Sequence, residues 1–116
     1  MKRKIICFDI DNVLCKTTKG NYLKSTPIKK NINLVNSLFE NGYYIKIFTA
    51  RYMGRNNDNR QKAIKQAKKI TKLQLKRWGL NYHKLILGKP SFDLYIDDKS
   101  IFYDKTWVIK LQKKLL

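Results

Sequence analysis

KIICFDIDNVLC, residues 4–15, is the stretch on which the reading of the chain turns. Its first six residues form a β-branched and aromatic run that ends in charge, the pattern of a buried strand. Asp9 then falls at the C-terminal edge of that strand, with Asp11 two positions on. Residues i and i+2 of an extended chain project to the same side, so both carboxylates can converge on one reaction centre. The chain has eight carboxylates against 26 Lys and Arg, and two acids so close repel one another unless a cation relieves them. A hard divalent ion with a taste for oxygen ligands, magnesium above all, would do so.

The totals suit one domain, residues 1–116, with a sizeable core: the sequence is 43% hydrophobic and 12% aromatic and has no low-complexity tract. The basic head MKRK resembles the start of a secretory signal, but Asp9 cuts the apolar run short, and no stretch approaches the length that spans a bilayer. A soluble, cytoplasmic protein with no membrane insertion is expected. Cys7 and Cys15 form no CxxC pair and have no nearby histidine, so buried free thiols are expected rather than zinc or redox chemistry. The net charge of +18 creates a potential that attracts phosphates, nucleic acid or acidic surfaces. It names a class of partner and not a function.

Outward from the opening strand, Asn12, Thr17, Thr18, Gly20 and Asn21 mark a turn-rich segment, a small hairpin or flap. Thr26-Pro27 reads as an N-cap with proline at the first helical position, and Asn41-Gly42 as the stop; Ile28, Ile32, Val35 and Phe39 share the buried face between them. YYIKIFT (43–49) returns to strand chemistry and completes a βαβ unit with parallel strands. After a polar loop at 51–60, a second helix runs to about Gly79. Ile64, Ala67, Thr71, Leu75 and Trp78 face inward, and Lys62, Lys65, Lys69, Lys72 and Lys76 outward. HKLIL (83–87), DLYID (93–97) and TWVI (106–109) are short enough for strands. The alternation predicts an α/β fold, a three-layer α/β/α sandwich around a mainly parallel sheet.

Ligands of such sheets bind beyond the carboxyl ends of the strands. Asp9 with Asp11, Thr49, Lys89 and the pair Asp97-Asp98 all fall on expected strand ends, so four of the eight carboxylates can gather there. FDIDNVL, FTAR, GKP and YIDDK, in this order across residues 8–99, resemble the four motifs of the haloacid dehalogenase-like hydrolases. The resemblance implies a Rossmann-like fold of that family and a magnesium-dependent phosphoric monoester hydrolase. Asp9 is then the nucleophile that accepts a phosphoryl group and forms an aspartyl phosphate. Asp11 is the general acid and base, and its carbonyl also ligates magnesium. Thr49 of the second motif then bonds the phosphoryl oxygens and Lys89 of the third neutralises charge on them and on the nucleophile, both counting as catalytic and as substrate-binding. Ala50 and Arg51 are also substrate-binding, Arg51 at the phosphate or the leaving group, with a plain surface arginine as the alternative. Asp97 and Asp98 hold the metal together with Asp9 and Asp11. Where the family commonly has glycine after the second aspartate stands Asn12, the residue that best tolerates a left-handed conformation. An acid at position 11 favours phosphatases or phosphomutases, because transporting ATPases place threonine there and dehalogenases lack this aspartate.

Neither the 12–48 nor the 50–88 interval has room for a cap domain, so the site should be open. In the family, capless members act on large substrates or borrow a neighbouring subunit as a lid, which makes a homo-oligomer possible. FTARYMGR and QLKRWGLNYHKLILGKPSFDLYIDDK also resemble small phosphatases of capsular and other surface polysaccharide biosynthesis. A phosphorylated sugar or related small metabolite is the favoured substrate. A polynucleotide 3′-phosphatase, or a basic nucleic-acid-binding module without turnover, is the alternative. The lysine stripe of the second helix reads most simply as a solvated face. His83 reads as a strand-start residue with no catalytic task, and Trp78 and Trp107 as core anchors.

Overall fold

The computed structural model describes residues 4–115. The opening run forms strand β1 (Ile5–Phe8), followed by a tight turn in which the amides of Val13, Leu14 and Cys15 all donate to the Ile10 carbonyl. Asn12 takes φ +65° there, the left-handed conformation expected of it. Strands β2 (Cys15–Lys16) and β3 (Thr26–Pro27) pair antiparallel and enclose a short 3-10 turn at Tyr22–Lys24, so the turn-rich segment is a small flap. Thr26-Pro27 belongs to this flap and does not cap the helix. Helix α1 (Lys29–Glu40) starts after Ile28, and Asn31, Ile32, Val35 and Leu38 make its buried face, with Phe39 half-buried beside them.

Strand β4 (Tyr44–Thr49), helix α2 (Arg60–Arg77) and strand β5 (Lys84–Leu87) follow. The side chain of Asn59 accepts from the amide of Lys62 and caps α2. Along α2, Ala63, Ala67, Thr71 and Leu75 are buried while the five lysines of the stripe are exposed, as their periodicity dictates. The main sheet is parallel, in the order β1-β4-β5, with Ile5 opposite Tyr44 and Lys46 opposite Lys84. Because the strands progress in one direction, right-handed crossovers put α1 and α2 on the same face. That face is the core: Phe8, Ile10, Ile45 and Ile47 pack with Val35, Leu38 and Leu75.

Two expected strands do not form. Residues 93–97 run as an exposed irregular segment outside the sheet. Residues 106–109 are instead the approach to and first turn of helix α3 (Trp107–Leu115). Asp104 accounts for the second difference. Its carboxylate accepts from the amide and hydroxyl of Thr106, both at 2.9 Å, which starts a helix where β-branched residues alone read as strand. Leu111 carries α3 into the common core, and Trp78 and Trp107 pack against it half-buried.

The structure is therefore α/β with a mainly parallel three-stranded sheet and three helices. With residues 93–97 outside the sheet, β1 is an edge strand. The second face of the sheet leaves Ile5 57% exposed and Cys7 exposed; Cys15 alone is a buried thiol, in contrast to the expectation for both. Among the described residues, no helix is long and apolar enough to cross a membrane.

Candidate active site

Asp9 and Asp11 leave the end of β1 in the turn that follows it, and Thr49 ends β4 beside them. Lys89 follows β5 after Gly88, whose φ of +86° makes the turn. The amide of Lys89 donates to the Thr49 carbonyl at 3.1 Å, which extends the β4–β5 pairing to the rim of the sheet. Thr49 is 1% and Lys89 8% exposed, both unusual for their polarity at a strand end.

Asp9 lies where two openings meet. One cavity, of about 870 Å³, is lined by Asp9, Lys89, Asp97, Asp98 and the outer edge of β1. The other, of about 280 Å³, is lined by Asp9, Asp11, Thr17, Tyr22, Ala50 and Arg51. Burial pushes the Asp9 carboxyl above the ordinary carboxylate range, opposed by the positive charge of Lys89 and by the Ile10 amide, which donates to its Oδ1 at 2.8 Å. The Lys89 ammonium sits over the rings of Tyr95, Phe92 and Phe48, at 4.9, 5.3 and 5.6 Å from their centroids. Such contacts suit a cation withdrawn from water.

Asp11 is held differently. The Arg51 side chain is fully buried, and its Nε donates to both Asp11 oxygens at 3.2 and 3.0 Å while Nη2 donates to Oδ1 at 3.0 Å. Nη1 donates to Gln74 Oε1 at 2.6 Å and reaches Thr71 Oγ1 at 3.4 Å. Thr17 Oγ1 adds a 2.6 Å bond to Asp11 Oδ1 and meets Ser25 Oγ at 2.6 Å. The flap and α2 thus share one polar network around a guanidinium, with Gln74 Nε2 donating to the Tyr22 carbonyl at 2.6 Å. Arg51, expected at the phosphate, at the leaving group or on the surface, is buried, with its side-chain donors directed at Asp11, Gln74, Thr71 and Ser25. Asp11 Oδ1 receives Arg51, Thr17 and, at 3.6 Å, the Cys15 thiol, whereas Oδ2 receives Arg51 alone. Oδ2 is therefore the less encumbered of the two oxygens.

Asp97 and Asp98 share the larger cavity with Asp9 but remain exposed, and among the described residues no three of the His, Cys, Asp and Glu side chains are grouped closely enough to hold a metal ion. The expected convergence of four carboxylates is therefore not present in the arrangement described. Asp97 is tied locally: its Oδ1 accepts the Lys99 amide at 2.8 Å, which, as the largest influence, holds its carboxyl below the ordinary range. His83 lies just before β5, stacked between Phe39 and Tyr44 with Nδ1 accepting from the Ile45 amide at 3.0 Å.

Gln74 and Ser25 have no place among the sequence expectations, and Thr17 is there only as a turn residue of the flap. Gln74 carried the detectable signal, a polar residue next to the apolar stripe of α2 and three positions after the inward Thr71. No family model matches the chain, and no curated protein matches it. The fold is similar to the crystal structure of a structural-genomics target from Vibrio cholerae, with a TM-score of 0.79 and 23% identity, covering 97% of this chain and 99% of that one. At that identity the likeness is one of fold.

Proposed function

We propose that the protein is a capless, magnesium-dependent phosphatase of the haloacid dehalogenase-like type, built on that family's three-layer fold and acting on a phosphorylated sugar or related small metabolite. The observation that carries the reading is the meeting of Asp9, Asp11, Thr49 and Lys89 at the ends of three adjacent parallel strands, with Asp9 opening to both cavities.

Asp9 attacks phosphorus in line: a bond forms from its carboxylate oxygen as the bond to the leaving oxygen breaks. Asp11, through Oδ2, gives that oxygen a proton. It then takes one from the water that attacks phosphorus and releases the Asp9 carboxylate. Arg51 acts through Asp11, fixing its orientation from the buried side. Lys89 would offset charge on the phosphoryl oxygens from one cavity and the backbone at Ala50 would meet them from the other, while the Thr49 hydroxyl, which accepts from the Arg51 amide at 3.2 Å, would give its own proton to a phosphoryl oxygen. Asp9, Asp11, Asp97 and Asp98 are the residues that would hold magnesium, but they are not grouped for it in this structure, so Asp97 or Asp98 would have to come closer to Asp9 and Asp11 than it lies here; the ion would then supply charge neutralisation between nucleophile and phosphate.

A polynucleotide 3′-phosphatase is a second reading, favoured by the open cleft and by the unpaired cations of α2. Phosphate release should be measured from p-nitrophenyl phosphate, sugar phosphates and 3′-phosphorylated oligonucleotides, with magnesium and with chelator. Magnesium-dependent release with preference for sugar phosphates supports the first reading. Preference for the oligonucleotide selects the second, and no turnover on any substrate removes both.

A further inference from the structure

Between Asp58 and Asp93 the chain has no carboxylate and ten Lys and Arg residues, most of them on α2. Among the described residues the ion pairs are Arg51–Asp11 and Lys110–Asp104, so no α2 cation has an acidic partner. Lys62, Lys65, Lys69, Lys72 and Lys76 repeat at three- and four-residue steps, where like charges oppose one another by about 0.2–0.5 kcal/mol per pair. The first turn of α2 also lacks the acid that would suit its dipole. A solvated face of alternating sign would avoid both costs.

Beside the stripe runs a groove of about 440 Å³ between α2 and the flap, walled by Leu23, Tyr52, Gln66, Lys69, Leu73 and Arg77. Leu23 is 76% and Leu73 51% exposed, an apolar floor next to a cationic rim. Tyr52 closes one end, and its ring lies 4.8 Å from that of Tyr22, which lines the cleft holding Asp9 and Asp11. Lys69 and Arg77 are the cations that line the groove itself, and Lys62 and Lys76, both exposed on α2, stand seven residues to either side of Lys69, so the three lysines span about 21 Å at the helical rise.

We propose that this groove binds single-stranded nucleic acid, with the phosphates along Lys62, Lys69 and Lys76 and the bases against Leu23, Leu73 and Tyr52. A concave track with one cationic wall and an aromatic-apolar floor fits a flexible polyanion that carries flat rings. A membrane surface would call for a convex or flat face. The binding needs no turnover, so it stands or falls separately from the phosphatase reading.

The test is fluorescence anisotropy with labelled oligothymidylate across a salt series. It compares the wild type with Lys62→Gln/Lys69→Gln/Lys76→Gln and with a charge-matched control, Lys29→Gln/Lys30→Gln/Lys113→Gln, each checked for folding by circular dichroism. The wild type should bind with a log–log salt slope that falls by about 2 in the groove variant, at about 0.7 per phosphate contact. The groove variant should also bind at least about tenfold more weakly at low salt, while the control keeps most of its affinity. Equal weakening in both variants would reduce the effect to net charge and overturn the site. Binding of anionic phosphatidylserine vesicles, but not of the oligonucleotide, with the same sensitivity to the groove variant would assign the face to membranes instead.

Discussion

The Arg51–Asp11 pair sets the character of the site at the scale of single residues. A guanidinium with no exposed side-chain surface is stable when its charge and its donors are matched, and here both are. Arg51→Ala would leave Asp11 beside an emptied polar pocket. We expect a loss of roughly 3–5 kcal/mol in urea unfolding, the cost of breaking a buried pair, together with loss of any phosphatase activity. Arg51→Lys should recover part of the stability and little of the activity, because an ammonium cannot make the forked contact. Asp9 gives a second expectation. Its folded pKa is raised, so the folded state binds the proton more tightly than the unfolded one, and this contribution to stability falls as pH rises above the unfolded value of 3.8. Asp9→Asn should therefore match the wild type in Tm below about pH 3.8 and exceed it by a margin that grows as pH rises to the raised folded value and is constant above it. A variant less stable than wild type at neutral pH would show that Asp9 is not paying for burial. Asp9, Asp11, Thr49 and Lys89 were legible in the sequence because each ends or follows a recognisable strand. The role of Arg51 was not, since one arginine in a polar loop carries no mark of being buried against Thr71 and Gln74, 20 and 23 residues later in the chain.

At the level of elements, what could be read depended on whether a segment's signal was periodic or capping. β1, β4, β5, α1 and α2 were visible from apolar spacing alone, and Asn12 from its tolerance of positive φ. The segment after Lys89 was not. DLYID alternates like a strand, yet its residues stay exposed and outside the sheet, and the local bond from Lys99 to Asp97 competes with extension. TWVI has strand composition, but Asp104 and Thr106 make a helix start that outweighs it. Gly88 is the element-scale joint between β5 and Lys89. A Cβ there would sit 2.5 Å from Arg60 Nε at a φ that side chains resist. Gly88→Ala should cost about 1–2 kcal/mol from backbone strain, read by thermal or chemical unfolding, with more if Arg60 cannot swing aside.

For the whole molecule, the dominant facts are a positive field, an open cleft and a sheet with one covered face. In the proposed reaction this field would draw phosphate toward strand ends where Asp9 and Asp11 are backed by Lys89 and Arg51, since a lone acid pair there would otherwise repel an anion. Activity toward phosphomonoesters should accordingly fall as salt rises, a trend measurable in initial rates at fixed pH. The molecule's charge and the lysine stripe of α2 were plain from the sequence; the apolar groove beside that stripe required the fold. The most direct measurement of the central claim is covalent labelling at Asp9. The protein is mixed with radiolabelled phosphomonoester and magnesium, quenched in acid and treated with hydroxylamine, which cleaves acyl phosphates. Label that appears on the wild type, is released by hydroxylamine and is absent from Asp9→Asn is the predicted result. Label that persists in Asp9→Asn, or phosphate release at an undiminished rate by that variant, would contradict it.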